Sequence, residues 1–372
     1  TDNSLVVTDS GGIYIYGPQL EEGTTASSFV ANTTGSPKFI TGATYGPRVP
    51  MILVEPSATN LVTYSEDFSQ WSASNVDRLD GIPSPDGLTN AWNVQPSATS
   101  GAHLIGFYEA SSAIKTYSVY AKANGYKYFR FNTGSSGNGY AEFDVESGAV
   151  VGAGGTYYST SSIEDVGDGW FRCSMTFSAG AATTIYIVVE DNTRSSSFAG
   201  DGTSGLYLWG AQVEAGSVAT SYIPTSGSTV TRAADNLDIS GSAFTNFFDS
   251  GGDGTFYAEF DALNKSDTFY LLGGTTGSNR LFYSNAGTQV YSYDGAQSLV
   301  FGHVQTGLNR AAISYNSTEQ DGSMNGAITN TTHNGNFSGL TELRIGHDHN
   351  GDYHLNGHIK RVIYWPTHSD SL

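Results

Sequence analysis

Glu259 and Asp261 stand two residues apart in YAEFDAL, a spacing that puts both carboxylates on one face of a strand. Paired carboxylates are the machinery of glycoside hydrolysis, one serving as acid and one as base or nucleophile. A glycanase strand of this type carries a further acid on the same face, and Leu263-Asn264 stand in its place. The expectation is therefore no catalysis, with Glu259 and Asp261 on a solvated face opposite Phe256, Ala258 and Phe260. Five of the eight histidines fall between 347 and 368: His347, His349, His354, His358 and His368. Imidazole and carboxylate together suit zinc or nickel, but no HExxH spacing occurs, and GHDHNGDYHLNGH reads as an exposed polar turn. No serine sits in a nucleophile elbow, and no phosphate-cradling GxxxxGK[ST] loop is present. Saccharide recognition needs aromatic faces beside amides and charged groups. Tyr126, Tyr128 and Arg130 alternate along one strand face, and Trp92 lies among Asn90, Asn93 and Gln95. Either these rings meet a pyranose or they fill a core or a subunit interface.

Composition says what kind of elements position these groups. The chain has 372 residues, with 46 Gly, 23 Tyr and 19 Phe and only 14% charged residues. That is a vocabulary of strands and tight turns, and runs of strong helix formers are absent. A net charge of −19 repels phosphate backbones, which argues against nucleic acid as a partner. No segment approaches the ~20 apolar residues of a membrane-spanning helix, and no basic-then-apolar leader opens the sequence. The single cysteine, Cys173, alternates with Phe171 and Met175 in GWFRCSMTF and reads as a buried, inert thiol.

Residues 12–30 (GIYIYGPQLEEGTTASSFV) return without a gap at 205–223 (GLYLWGAQVEAGSVATSYI), an offset of 193 residues. The period is too long for a solenoid and fits a whole β-sandwich. Almost nothing precedes the first copy, so 1–35 is expected to be the closing strand of a truncated preceding sandwich, and 36–56 a linker. From 57 to 236, alternating segments such as 116–123, 126–134, 140–151, 167–177, 184–191 and 205–214 recur between Gly-rich turns, as in an antiparallel sandwich. From 237 to 372 a second sandwich follows, with Asp321-Gly322 as a turn signal. Trp170 and Trp209 are assigned to core. Gln212 and Glu214, repeated as Gln19 and Glu21, are assigned to bonding loop backbone. The fold class is all-β: tandem antiparallel sandwiches.

In order, NLVTYSEDFSQW, SVYAKANG, YAEFDVESGAVV, IEDVGDGWFRCSMTF and GLYLWGAQVEAGSVATSYIPT resemble the carbohydrate-binding-module-like jelly rolls of tailed-phage structural proteins. GTFYAEFDAL with LNGHIKRVIYWPTHSDSL resembles the concanavalin-like or laminin-G-like sandwich that follows in such proteins. The resemblance implies a virion protein of the tail, a tail fibre or tailspike. It implies a homotrimer that contacts other phage tail proteins and binds host surface polysaccharide by non-catalytic adhesion. It leaves open a polysaccharide-degrading tailspike or glycanase accessory region, and a pure spacer or decoration protein. No cofactor is required by it. A structural calcium in such jelly rolls sits near the first and last strands. That points to Glu66 and Asp67 in the opening strand and to Asp191 and Asp201 around the loop before the closing one. The acidic loop 249–254 is a separate possibility.

Overall fold

The computed structural model describes Val6–Val7, Ile13–Tyr14 and residues 51–372, apart from 110–113, 135–138, 179–182, 250, 266, 275–278, 286–288, 332–334, 336 and 370–371. The described chain forms two units, one of Ala58–Arg232 and one of residues 51–57 with Ala233–Leu372. Both are antiparallel sandwiches, so the all-β class and the tandem arrangement hold. Among the described residues, no helix is long and apolar enough to cross a membrane.

In the first unit, one sheet runs Ala149–Gly154, Tyr140–Asp144, Tyr128–Thr133, Thr183–Glu190, Gly101–Glu109 and Ser197–Phe198, with Ser72–Ser74 also paired to Gly101–Glu109. The other runs Tyr158–Gly167, Trp170–Ser178, Ile114–Asn124, Gly205–Ala215, Ala91–Pro96 and Val76–Ile82. Alternation explains the layering, since every second side chain points inward. Phe129, Phe131, Phe143, Ile185 and Ile187 of one sheet meet Tyr117, Val119, Cys173 and Met175 of the other, all fully buried. Each such side chain contributes about 1.5–3 kcal/mol relative to exposure. Burial also pushes the Cys173 thiol well up from its ordinary pKa, in keeping with an inert group.

Gln212 and Glu214 do bond loop backbone. Gln212 Oε1 accepts from the Ile223 amide at 2.7 Å, and Glu214 Oε1 from the Thr220 amide at 3.0 Å. Trp170 and Trp209 are buried, in a small cluster with Ala91 apart from the main core.

The second unit stacks two six-stranded sheets. One runs Asp238–Ser240, Glu342–Ile345, Phe269–Gly273, Arg280–Ser284, Gln289–Tyr293 and Ser298–His303. The other runs Ala327–Thr331, Gln320–Met324, Asn309–Tyr315, Gly254–Phe260, Gly357–Trp365 and Ile52–Val54. Phe256, Ala258 and Phe260 are fully buried between them, as the alternation predicts.

One expectation changes, and another lies outside the described residues. Within the expected linker 36–56, Ile52–Val54 forms an edge strand paired with Gly357–Ile359, because three consecutive apolar residues find cover there. Asp321-Gly322 is not a turn but the middle of Gln320–Met324. The turn lies at Asn325-Gly326, both at positive φ (52° and 87°). Gly322 is needed for packing, since a Cβ there would lie 2.5 Å from the Phe301 side chain. The repeated segment 12–30 falls outside the described residues except Ile13–Tyr14, which pairs antiparallel with Val6–Val7.

Candidate functional site

The outer face of the first unit's first sheet carries a row of flat rings beside a row of charges. Alternation in Tyr128–Thr133 sends Phe129 and Phe131 inward, so Tyr128, Arg130 and Asn132 face out. In register, Asn132 lies between Tyr140 and Tyr186, Tyr140 opposite Gly154, and Tyr186 opposite Gly106. A Cβ built on Gly106 would meet the Tyr186 ring at 2.7 Å, and one on Gly154 would meet the Tyr140 ring at 3.5 Å. Both half-buried rings therefore lean over bare backbone on either side of the Asn132 amide. One strand separates them, which sets a spacing of about 10 Å.

The next row is ionic. Arg130 sits between Glu142 and Val188 in register, and its Nε lies 3.1 Å from Glu190 Oε1. Arg194 comes from a loop organised by Asp191, whose carboxylate accepts from the Thr193 and Ser195 amides. Its backbone is left-handed at φ 67°, and its guanidinium donates to both oxygens of Glu142 and, at 3.0 Å, to the Val151 carbonyl. Gly152 makes the room, because a Cβ there would fall 2.7 Å from Glu142 Oε2. The Arg194 hydrogen bond holds the Glu142 carboxyl below its usual pKa. Burial pushes Glu190 up to about 8. Glu190 Oε2 has no hydrogen-bond partner among the described groups, which fits a protonated carboxyl. Arg194 is 44% exposed and Arg130 28%, so the cations face solvent above buried acids.

Of the sequence candidates for a saccharide, Tyr128 and Arg130 lie on this face. Tyr126 does not share it. The left-handed turn at Gly125 (φ 88°) delays the strand to Tyr128. Tyr126 is instead buried against Phe198, ring centroids 5.2 Å apart. Trp92 packs against the core and donates its Nε1 hydrogen to the Glu66 carbonyl at 2.7 Å. Sequence reasoning missed Asn132, Tyr140, Glu142, Tyr186, Glu190 and Arg194. Alternation within YAEFD and TIYIVVE was the available signal; Arg194 had none.

The four calcium candidates serve separate local structures. Glu66 accepts from Tyr222 and Asn90 at 3.0 and 2.8 Å, and Asp67 caps a 3-10 turn through the Ser69 amide. Asp191 shapes the Arg194 loop, and Asp201 accepts from the Thr203 and Ser204 amides. No three His, Cys, Asp or Glu side chains gather as metal ligands among the described residues.

The histidines are not an exposed turn. His347 is fully buried, its ring bonded to the Asp348 and Leu237 carbonyls. His354 stacks on it at 5.5 Å, and His358 meets Asp261 at 2.9 Å.

Glu259 and Asp261 engage different partners, Lys360 and His358. A register shift follows Glu259, and the strand ends at Phe260. Glu259 is not solvated; it accepts from the Tyr257 hydroxyl at 2.7 Å and meets Lys360 Nζ at 2.8 Å.

No protein-family model matches the chain, and no curated protein matches it. Among solved structures, mouse laminin α1 chain domains LG4-5 align at 11% identity and TM-score 0.27, over 87% of this chain and 93% of that one. Trypanosoma rangeli sialidase aligns at 11% and 0.27, over 80% and 61%. A mutant of a GH43 protein from Bacillus licheniformis aligns at 10% and 0.23, over 79% and 75%. At these TM-scores the likeness does not amount to a shared topology and says nothing about activity.

Proposed function

We propose that this chain is a non-catalytic adhesion protein of a phage tail fibre or tailspike, and that the outer face of its first sandwich binds a surface saccharide. The observation that carries the saccharide reading is the pair of rings, Tyr140 and Tyr186, leaning over Gly154 and Gly106 about the Asn132 amide. Rings of this kind stack on the C–H face of a pyranose, and the neighbouring amide and guanidinium groups bond its hydroxyls. The phage assignment rests on the ordered sequence motifs.

The carboxyls on this face are poorly placed for hydrolysis. A glycosidase holds its two acids about 5 Å or more apart, with the glycosidic bond between them. Glu142 has both oxygens engaged by Arg194 and Glu190 is buried beside Arg130, so neither lies open to a glycosidic bond. Glu259 is held below its ordinary pKa by Lys360 and Tyr257 against the effect of burial, so it is a poor proton donor. A reducing-sugar release assay with the full chain, run beside a glycan array, separates the readings. Array binding without release supports adhesion. Release that is lost in Glu259→Gln or Glu190→Gln would establish an enzyme, and a blank array would leave a spacer.

A further inference from the structure

The second sandwich has a groove of about 520 Å³ on the outer face of the sheet containing Gly254–Phe260. Its floor is made of small residues, Ala312 and Ser323, which neighbour Tyr257 in register on successive strands. Tyr257 and Trp365 stand above that floor, and Trp365 is 39% exposed. Arg310 also lines the groove, with a side chain 61% exposed. Its contact with Glu259 is long, at 3.7 Å. Glu259 does not depend on it, because Tyr257 and Lys360 already engage both carboxylate oxygens. The guanidinium charge is thus available to a ligand. Among the described lining residues there is no Asp or Glu, although the chain as a whole carries −19. The groove is an aromatic, hydroxyl-bearing recess with the Arg310 guanidinium in its lining.

We infer that this groove is a second binding site, separate from the face on the first sandwich, and that it takes a pyranoside bearing a carboxylate. Trp365 and Tyr257 would meet the sugar ring, and the Ser323 and Thr367 hydroxyls would meet its hydroxyl groups. Arg310 would take the carboxylate, for which its planar fork is shaped. The volume suits one or two sugar rings and is at the lower end of ordinary ligand pockets.

Methyl β-glucuronide and methyl β-glucoside, titrated into the full chain and followed by calorimetry, test this. The expected result is tighter binding of the glucuronide by about tenfold, the scale of one hydrogen bond to a charged group. Arg310→Gln should erase that preference, and Trp365→Ala should weaken both ligands. Tyr140→Ala/Tyr186→Ala on the first sandwich should change neither, which keeps this site distinct from the adhesion face. Circular dichroism confirms that the two groove variants, at exposed positions, remain folded. Equal affinity for the two glycosides, no saturable binding of either, or a preference that survives Arg310→Gln would overturn the inference.

Discussion

Glu190 is a carboxyl whose chemistry is strongly altered by its surroundings. Its folded pKa of about 8 lies above the ordinary 4.5, so the fold favours its protonated form. The resulting stability is fully present below about pH 4.5. It falls as the unfolded chain gives up its proton first, and it is gone above about pH 8. The melting temperature of the first sandwich should therefore drop between pH 5 and 8, by about 2–4 °C for each kcal/mol lost. Glu190→Gln, neutral at every pH, should flatten that slope; an unchanged slope would show that Glu190 is ionised in the fold. Arg194→Ala should weaken any saccharide held on this face and let the Glu142 carboxyl rise toward its ordinary pKa. That Tyr128 and Arg130 share a strand face was legible from alternation; that the face is the outer one was not. Glu190 and Arg194 were not legible either, because only strand pairing brings Glu190 to Arg130 and only the Asp191 loop brings Arg194 to Glu142. The burial of His347 was equally invisible, since a polar, glycine-rich segment carries no sign that the distant Leu237 carbonyl awaits its ring.

Strands were the most readable elements, because period-2 alternation survives whatever the tertiary context. Turns were less so. Turns do form at Asn124-Gly125 and at Glu146–Gly148, with Gly125 and Gly148 both at positive φ. Asp321-Gly322 failed because glycine also serves close packing, and sequence does not say which use applies. Gly210 combines both uses. It sits at φ 63° in the register break of Gly205–Ala215, and a Cβ would come 3.0 Å from the Tyr120 ring. Gly210→Ala should cost about 1–2 kcal/mol from the left-handed backbone alone, read as a lower denaturation midpoint with the m-value unchanged. Glu259 ties strands in a different way, linking Gly254–Phe260 to Gly357–Trp365 through Lys360. Glu259→Gln should destabilise the second sandwich by about 1–3 kcal/mol. No loss of stability there would mean the ion pair is incidental.

At the scale of the whole molecule, two separate cores predict two calorimetric transitions. The pH slope set by Glu190 should appear in one of them only, and the Glu259→Gln shift in the other. Assembly follows from the proposed role. A homotrimer would present three copies of each face, and weak single-site contacts gain from effective concentration. Light scattering should return three times the chain mass, and a monomer at all concentrations would count against that part of the proposal. The central claim is that the face around Tyr140, Asn132 and Tyr186 holds a saccharide. It is tested most directly by a glycan array probed side by side with the full chain and with its Tyr140→Ala/Tyr186→Ala variant. The account predicts a defined set of bound glycans for the parent chain and loss of that set in the folded variant. Identical profiles for the two, or no bound glycan for the parent, would contradict it.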